Sequence, residues 1–150
     1  MLMSEEKDAN QEKSDRGVQI VLEYLTKEGY PCQDVARFGK EHNGYDILAK
    51  KEDQDLKIEV KCSSKEKGIP DCFNTEFDEN QNLIADYLYL VRIDENKNPK
   101  CLQILSKEEF DKYSHLHKKK IIIKISNKLK TDLKNKVVGK EINLNKRKWK

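Results

Sequence analysis

The stretch "GYDILAKKEDQDLKIEVK", residues 44–61, most constrains how this chain can fold. Two short runs of alternating apolar and polar residues flank a highly charged segment, which predicts an antiparallel β-hairpin. If the turn is "EDQD", residues 52–55, counting back along both runs places Asp46 opposite Lys61. The same count pairs Lys51 with Leu56, Ala49 with Ile58, Leu48 with Glu59 and Ile47 with Val60.

This register gives the hairpin two different faces, because successive side chains of a strand point to opposite sides of the sheet. One face is apolar and suits the core. The other carries Asp46, Glu59 and Lys61, which would lie within a few ångströms of one another. The sequence therefore predicts two carboxylates beside an ammonium group.

That combination suits metal-assisted hydrolysis of a phosphodiester bond. Mg²⁺ prefers hard oxygen ligands, commonly one or two carboxylates, and it lowers the pKa of a bound water. We predict Asp46 and Glu59 as metal ligands, with the backbone carbonyl of Val60 as a third oxygen. Lys61 would orient or deprotonate the attacking water, and Mn²⁺ would be able to replace Mg²⁺. The alternative is an ordinary hairpin with a surface ion pair between Asp46 and Lys61, worth less than about 1 kcal/mol.

A helix is predicted before the hairpin. Asp15 is a suitable N-cap and Gly29 a suitable end, so the helix should run from about residue 16 to residue 28. Residues 1–14 are expected to form a disordered tail. The apolar positions with helical spacing are Val18, Val21, Leu22 and Leu25.

The segments after the hairpin predict a mixed sheet. "NTEFDENQNLIA", residues 74–85, has helical character, and "DYLYLVRID", residues 86–94, reads as a strand. A helix between two strands implies parallel pairing. "KCLQIL" and "KKKIIIKIS" predict further strands, and Ser106 with Glu109 forms a capping box for a short helix. We expect an α/β fold, a central mixed β-sheet flanked by helices, in a single domain over 15–145 with a basic tail at 146–150.

The composition limits the class of protein. The chain of 150 residues has 36% hydrophobic content, no long apolar run and a charged N-terminal segment, which indicates neither a membrane span nor a secretory signal. Its four cysteines form no C-x-x-C pair, which argues against a zinc knuckle and fits reduced thiols. A cytoplasmic protein without membrane association is expected.

The charge is distributed unevenly along the chain. Residues 118–150 contain 13 Lys and Arg against 2 Asp and Glu, whereas residues 1–117 contain 17 against 25. A basic block of this kind favours a polyanionic partner such as DNA, although a solvated lysine-rich surface has the same composition. The first candidates for contacts with the phosphate backbone are Lys118, Lys119, Lys120 and Lys124.

Over residues 15–64, the order of helix, loop, "GYDILA", charged turn and "KIEVKCSS" resembles the PD-(D/E)XK nuclease superfamily. The strings "G-x-D-I" and "I-E-V-K" look closest to its Mrr-like and Holliday-junction-resolvase branches. The resemblance implies a restriction-endonuclease-like fold, with Asp46 and Glu59 as the two acids of the motif and Lys61 as its lysine. Tyr45 stands where the name of the superfamily has proline.

The resemblance also implies accessory residues. Related nucleases often carry a further Glu on the first helix, where this chain has Gln19, with Glu23 one turn later. Glu23 could replace it only if the helix is rotated, and otherwise it is expected to be exposed. Gln81 is a further possible contact on the crossover helix, the alternative again being an exposed side chain.

The sequence thus predicts a Mg²⁺-dependent endodeoxyribonuclease of the restriction, defence or DNA-repair type. Three alternatives stay open: a junction resolvase, a non-catalytic nucleic-acid-binding subunit that retains the fold, and a structural protein with a charged hairpin. A single domain would need a homodimer or a partner protein to recognise a target and cut both strands.

Overall fold

The computed structural model describes residues 2–35, 45–64, 72–73, 84–114, 122–123 and 139–144. The elements in chain order are α1 (Leu2–Lys27), β1 (Cys32–Asp34), β2 (Ile47–Lys51), β3 (Gln54–Ser63), β4 (Cys72–Phe73), β5 (Tyr87–Ile93), β6 (Pro99–Ser106), α2 (Lys107–Ser114), β7 (Ile122–Ile123) and β8 (Lys140–Asn143).

The central sheet is mixed. Six of the described strands pair in the order β1-β2-β3-β5-β6-β8, and β4 pairs with β7 in a separate two-stranded sheet. β3 and β5 are parallel, whereas the other neighbours in the larger sheet are antiparallel. The predicted parallel pairing is therefore confirmed, as is the α/β fold class, although residues 74–83 of the expected crossover helix lie outside the described residues.

α1 covers one face of this sheet. Its apolar stripe packs into a buried cluster with side chains from several strands, among them Ile58, Val60 and Tyr89. The approach is closest at Gly17, where a Cβ atom would lie 2.7 Å from the Cβ atom of Cys62. The residues of the stripe are Ile20, Val21, Tyr24 and Leu25.

The start of α1 differs from the prediction. The helix begins at Leu2 rather than near residue 16, so Asp15 lies within it and residues 2–14, expected to be a tail, are helical. This segment has no apolar stripe, but it is rich in Glu, Lys, Gln and other good helix formers. The segment is helical because its residues have high intrinsic helix propensity. A search for a periodic apolar stripe does not detect such a helix.

The β2–β3 hairpin is present, but its predicted register is wrong by two residues. Ile47 pairs with Ile58 and Leu48 with Lys57, because the turn has two residues rather than four. Glu52 and Asp53 form this turn with φ values of 50° and 69°, the conformation of a type I′ turn. A shift of two residues leaves every side chain on its predicted face.

The predicted capping box of α2 is confirmed. The Ser106 N–H donates to Glu109 Oε1 at 3.1 Å, and the Glu109 N–H donates to Ser106 Oγ at 3.2 Å. The second oxygen of Glu109, Oε2, accepts a hydrogen bond from the Gly139 N–H at 2.8 Å. Glu109 therefore connects α2 to the segment that leads into β8.

Neither described helix is both long enough and apolar enough to cross a membrane. Cys32, Cys62 and Cys101 are not in disulfide bonds. Burial of Cys62 against α1 raises the pKa of its thiol to about 11, and the charges of Lys13 and Arg16 offset only part of this effect.

Candidate active site

Asp46 is fixed at the start of β2 by its backbone and by its side chain. Its N–H donates to the carbonyl of Ile58 at 2.9 Å, and its carbonyl accepts from the Val35 N–H at 3.0 Å. Its carboxylate Oδ2 accepts from the Val60 N–H at 2.9 Å. The side chain therefore takes the place of a strand carbonyl and holds the carboxylate against the middle of β3.

Glu59 and Lys61 point to the face of the sheet opposite α1. Their neighbour Val60 belongs to the cluster under α1, and alternation along β3 places Glu59 and Lys61 on the other side. Lys61 Nζ lies 3.9 Å from Glu59 Oε1, and the side chains are only 11% and 5% exposed, respectively. Such burial makes their mutual electrostatic interaction stronger than it would be at the surface.

The three residues lie where β3 extends past the start of β2. In the ladder between these strands, the pairing furthest along β3 is Ile47 with Ile58, whereas β3 continues to Ser63. The end of β3 keeps its pairing with β5, in which Glu59 is opposite Leu88 and Lys61 is opposite Leu90. The structure thus brings together Asp46, Glu59 and Lys61, with Asp46 level with Glu59 and Val60 rather than with Lys61 as predicted.

The candidate residues of α1 are not brought to this face. Gln19 is exposed, and its Oε1 accepts a hydrogen bond from Arg16 Nη1 at 3.0 Å. Glu23 is less exposed than expected, at 14% of its side chain, and its Oε1 lies 3.6 Å from Lys27 Nζ. Because α1 packs on the face of Val60 and Cys62, these side chains are separated from Glu59 and Lys61 by the sheet.

The site around Asp46 and Glu59 offers few protein ligands for a metal ion. Within the described ranges, no group of three or more His, Cys, Asp or Glu side chains is arranged to hold a metal ion. Two carboxylates, Asp46 and Glu59, meet the minimum for Mg²⁺, which keeps several waters and commonly binds one or two carboxylates together with substrate phosphates. Their oxygen donors therefore fit Mg²⁺, whereas a structural zinc site would require a closed set of four ligands.

The sequence reasoning missed two polar residues on the same face. Arg92 of β5 is half-buried, and its Nε donates to Gln103 Oε1 of β6 at 3.2 Å. Burial lowers the pKa of the Arg92 guanidinium, an effect that the nearby Cys101 and Glu141 oppose. The available signal was that Arg92 is the single charged residue of the strand "YLYLVRI".

The other predicted contacts lie outside the described residues. These are Gln81 on the expected crossover helix and the four lysines proposed to contact the phosphate backbone, Lys118, Lys119, Lys120 and Lys124. Residues 146–150, the predicted basic tail, also lie outside them.

The fold and the site together define an α/β domain whose mixed sheet presents two acids and a lysine on the face opposite its long helix. The chain belongs to the family described as "Protein NO VEIN, C-terminal", whose model matches residues 13–104. The matched segment contains Asp46, Glu59, Lys61 and Arg92. No match was found among curated proteins. Among solved structures, the chain is similar to a bacterial homing endonuclease, I-Ssp6803I, with 20% sequence identity over 67% of each chain and a TM-score of 0.49.

Proposed function

We propose that this protein is a metal-dependent endonuclease that hydrolyses phosphodiester bonds in DNA. One observation carries the proposal: Lys61 lies 3.9 Å from Glu59 on a largely buried face, at the point where the carboxylate of Asp46 is held against β3. The order of these residues, an acid before one strand and E-x-K on the next, also resembles the PD-(D/E)XK superfamily. The basic composition of residues 118–150 supports a polyanionic substrate.

Asp46 and Glu59 would hold Mg²⁺, or Mn²⁺ in its place. The carbonyl of Val60 is a suitable third ligand, because its N–H points to Asp46 and the two groups of a strand residue face the same neighbour. When bound, the metal would supply a water of lowered pKa and stabilise negative charge on the phosphate oxygens.

The protein's own groups would position the reaction. The hydrogen bond from Val60 fixes the orientation of the Asp46 carboxylate before any ligand arrives. Lys61, held 3.9 Å from Glu59, would contact a phosphate oxygen and orient the attacking water. A homodimer or a partner protein would complete target recognition and allow both strands to be cut.

The test is to incubate the purified protein with supercoiled plasmid, linear duplex, single-stranded DNA and a four-way junction. Each substrate is tested with Mg²⁺, with Mn²⁺ and with a chelator, beside Lys61→Ala. Lys57→Ala is the matched control, because Lys57 is an exposed lysine on the same strand and the same face. We expect metal-dependent cleavage that is lost in Lys61→Ala and retained in Lys57→Ala.

The substrate that is cleaved fastest identifies the type of nuclease. Selective cleavage of the four-way junction would assign a resolvase, and cleavage of linear duplex would assign a restriction, defence or repair enzyme. Equal activity of Lys61→Ala and the wild type would contradict the assigned site.

A second candidate is a non-catalytic DNA-binding subunit, which is favoured by the presence of only two carboxylates at the site within the described residues. This candidate predicts salt-sensitive DNA binding without cleavage. It also predicts that Mg²⁺ does not raise the melting temperature, whereas a ligand that binds the folded state must raise it.

A further inference from the structure

Tyr45 lies next to the candidate site and has no role in the proposed mechanism. It directly precedes Asp46, whose backbone is fixed by hydrogen bonds to Ile58 and Val35. Because consecutive Cα atoms are about 3.8 Å apart, Tyr45 is attached at the edge of the site. It also stands where the name of the superfamily has proline, a residue without any hydrogen-bond donor. This chain therefore has an additional polar group beside its first acid.

The ring of Tyr45 lies on the charged side of β3. The ammonium group of Lys57 is 5.6 Å from the centroid of the ring. Lys57 is exposed, and alternation along β3 places it on the same face as Glu59 and Lys61. The contact locates the ring without fixing it, because a cation–π interaction at an exposed site is weak. Tyr45 therefore shares this side of the sheet with the acids and Lys61.

The hydroxyl group of Tyr45 is available to a bound molecule. Tyr45 is half-buried, and a buried tyrosine hydroxyl usually has a hydrogen-bond partner. Among the residues that the structure describes, none donates a hydrogen bond to this hydroxyl or accepts one from it. A phenolic hydroxyl can donate as well as accept. An oxygen acceptor on a ligand could therefore take its hydrogen bond without breaking one within the described fold.

Tyr30 makes the same kind of ring contact at a different place. The ammonium group of Lys51 is 5.7 Å from the centroid of its ring. Tyr30 is also half-buried, but it packs against the cluster under α1. Lys51 is the last residue of β2, at the end of the strand away from Asp46. Tyr30 is therefore a matched comparison, a tyrosine beside a lysine but on the other face of the sheet.

We propose that the hydroxyl of Tyr45 donates a hydrogen bond to a phosphate oxygen of bound DNA, next to the phosphate at Asp46 and Glu59. Tyrosine side chains are among the groups that hold the DNA backbone in register. The proposal rests on the proposed function, since it assumes that DNA lies on this face. Tyr45 is a substrate-binding residue that orients the strand, whereas Asp46, Glu59 and Lys61 act at the scissile bond.

The test is to measure binding of a short fluorescent DNA duplex over a salt series, in chelator so that no cleavage occurs. Tyr45→Phe removes the hydroxyl and keeps the ring. We expect it to weaken binding about tenfold, the effect of losing a hydrogen bond to a charged acceptor. The slope of log K against log salt should not change, because a neutral hydroxyl releases no counterions. Tyr30→Phe is the matched control and should leave both quantities unchanged.

Three further measurements separate this role from a structural one and from stacking. The melting temperature of Tyr45→Phe should equal that of the wild type, and a lower value would mean that the hydroxyl is bonded within the protein and would overturn the proposal. In cleavage assays, Tyr45→Phe should raise KM about tenfold and change kcat little, because the groups at the scissile bond remain. Tyr45→Ala removes the ring as well and should bind about as weakly as Tyr45→Phe.

The outcomes distinguish this proposal from the nuclease assignment. Wild-type affinity in Tyr45→Phe would overturn the role of the hydroxyl even if the wild type cleaves DNA, and a loss confined to Tyr45→Ala would assign stacking of the ring instead. A reduced salt slope in Tyr45→Phe would also overturn it, because it would indicate that a cationic contact was lost. Weaker binding by Tyr45→Phe, in a protein that cleaves no substrate with any metal, would overturn the nuclease and support the hydrogen bond.

Discussion

The two faces of the central sheet differ in what they bury. The face under α1 is apolar and is covered by the helix, with Ile20 and Val21 packed in one buried cluster with Ile58 and Val60. The opposite face buries Glu59 and Gln103 as well as hydrophobic side chains, and it holds Lys61 at 11% exposure. Its fully buried hydrophobic residues include Leu88, Leu105 and Phe110.

Because of this difference, the α1 face contributes mainly to the stability of the fold, and the opposite face carries the groups proposed for catalysis. Apolar burial contributes about 25 cal/mol for each Å² removed from water, whereas burial of a charge costs free energy unless the charge is paired. A sheet that places its charges on one face can therefore build its core on the other. We expect substitutions on the α1 face to change stability and substitutions on the charged face to change activity.

The largest expected effect is on the charged face. Glu59→Gln keeps the shape of the side chain but replaces a metal-binding carboxylate with a neutral amide. Cleavage should fall by about 10²–10⁴-fold, the range in which catalytic side chains contribute, while the thermal melt stays cooperative. Rates on plasmid DNA and a circular-dichroism melt measure the two quantities.

The control for Glu59→Gln is Glu108→Gln, which neutralises an exposed acid in the first turn of α2. It should cleave at the wild-type rate. Cleavage by Glu59→Gln within a factor of a few of the wild type would mean that the charged face is not the catalytic one.

On the α1 face, Ile20→Ala should cost about 2–5 kcal/mol of the free energy of unfolding, because it removes a fully buried side chain and leaves a cavity. Urea denaturation measures this loss. The rate of cleavage per folded molecule should be unchanged at a temperature where the variant is folded. A large fall in that rate would show that the two faces are not independent.

Gly17→Ala tests the closest contact between α1 and β3. Alanine normally favours a helix over glycine by about 1 kcal/mol. Here the added Cβ would meet the Cβ of Cys62 at 2.7 Å, so we expect a net loss of about 1–3 kcal/mol. Ser14→Ala, at an exposed position of the same helix, is the control and should be neutral or slightly stabilising. Urea denaturation of Gly17→Ala with no loss of stability would contradict the close packing of α1 on β3.

The smallest expected effect is in the turn that joins β2 and β3. Asp53 has a φ of 69°, which glycine adopts without strain. Asp53→Gly should raise the free energy of unfolding by about 0.5–1 kcal/mol, and Asp53→Ala should lower it. Thermal melts of the two variants measure the difference, and the opposite order would contradict the two-residue turn.

The sequence predicts the two faces of the hairpin better than its register. Alternation along a strand survives any shift by two residues, so Glu59 and Lys61 fall on one face in both the predicted and the observed pairing. The sequence of the turn did not indicate its length. Glu52 and Asp53 both have positive φ, where Asn-Gly or Asp-Gly would be the recognisable pattern.

The relation of α1 to the site could not be predicted from the chain alone. Periodicity identifies the buried stripe of a helix, but it does not tell which face of a sheet the stripe will cover. The resemblance placed Gln19 where related nucleases carry a further acid, and Glu23 near the site only if the helix is rotated. In the structure, α1 packs on the face of β3 opposite Glu59 and Lys61. Arg92 was missed for a related reason, since its place beside Lys61 depends on a pairing between distant strands.

The single parallel pairing among the described strands has a consequence for how the site forms. Antiparallel neighbours such as β2 with β3 and β5 with β6 are joined through short connections, so each hairpin needs little loop closure. The parallel pairing between β3 and β5 must bring together residues as distant as Ile58 and Tyr87, and such contacts form slowly. One hairpin carries Glu59 and Lys61, and the other carries Arg92 with Gln103. We therefore expect Asp46, Glu59 and Lys61 to come together within the β2–β3 hairpin, and Arg92 and Gln103 to join the same face only when β3 pairs with β5.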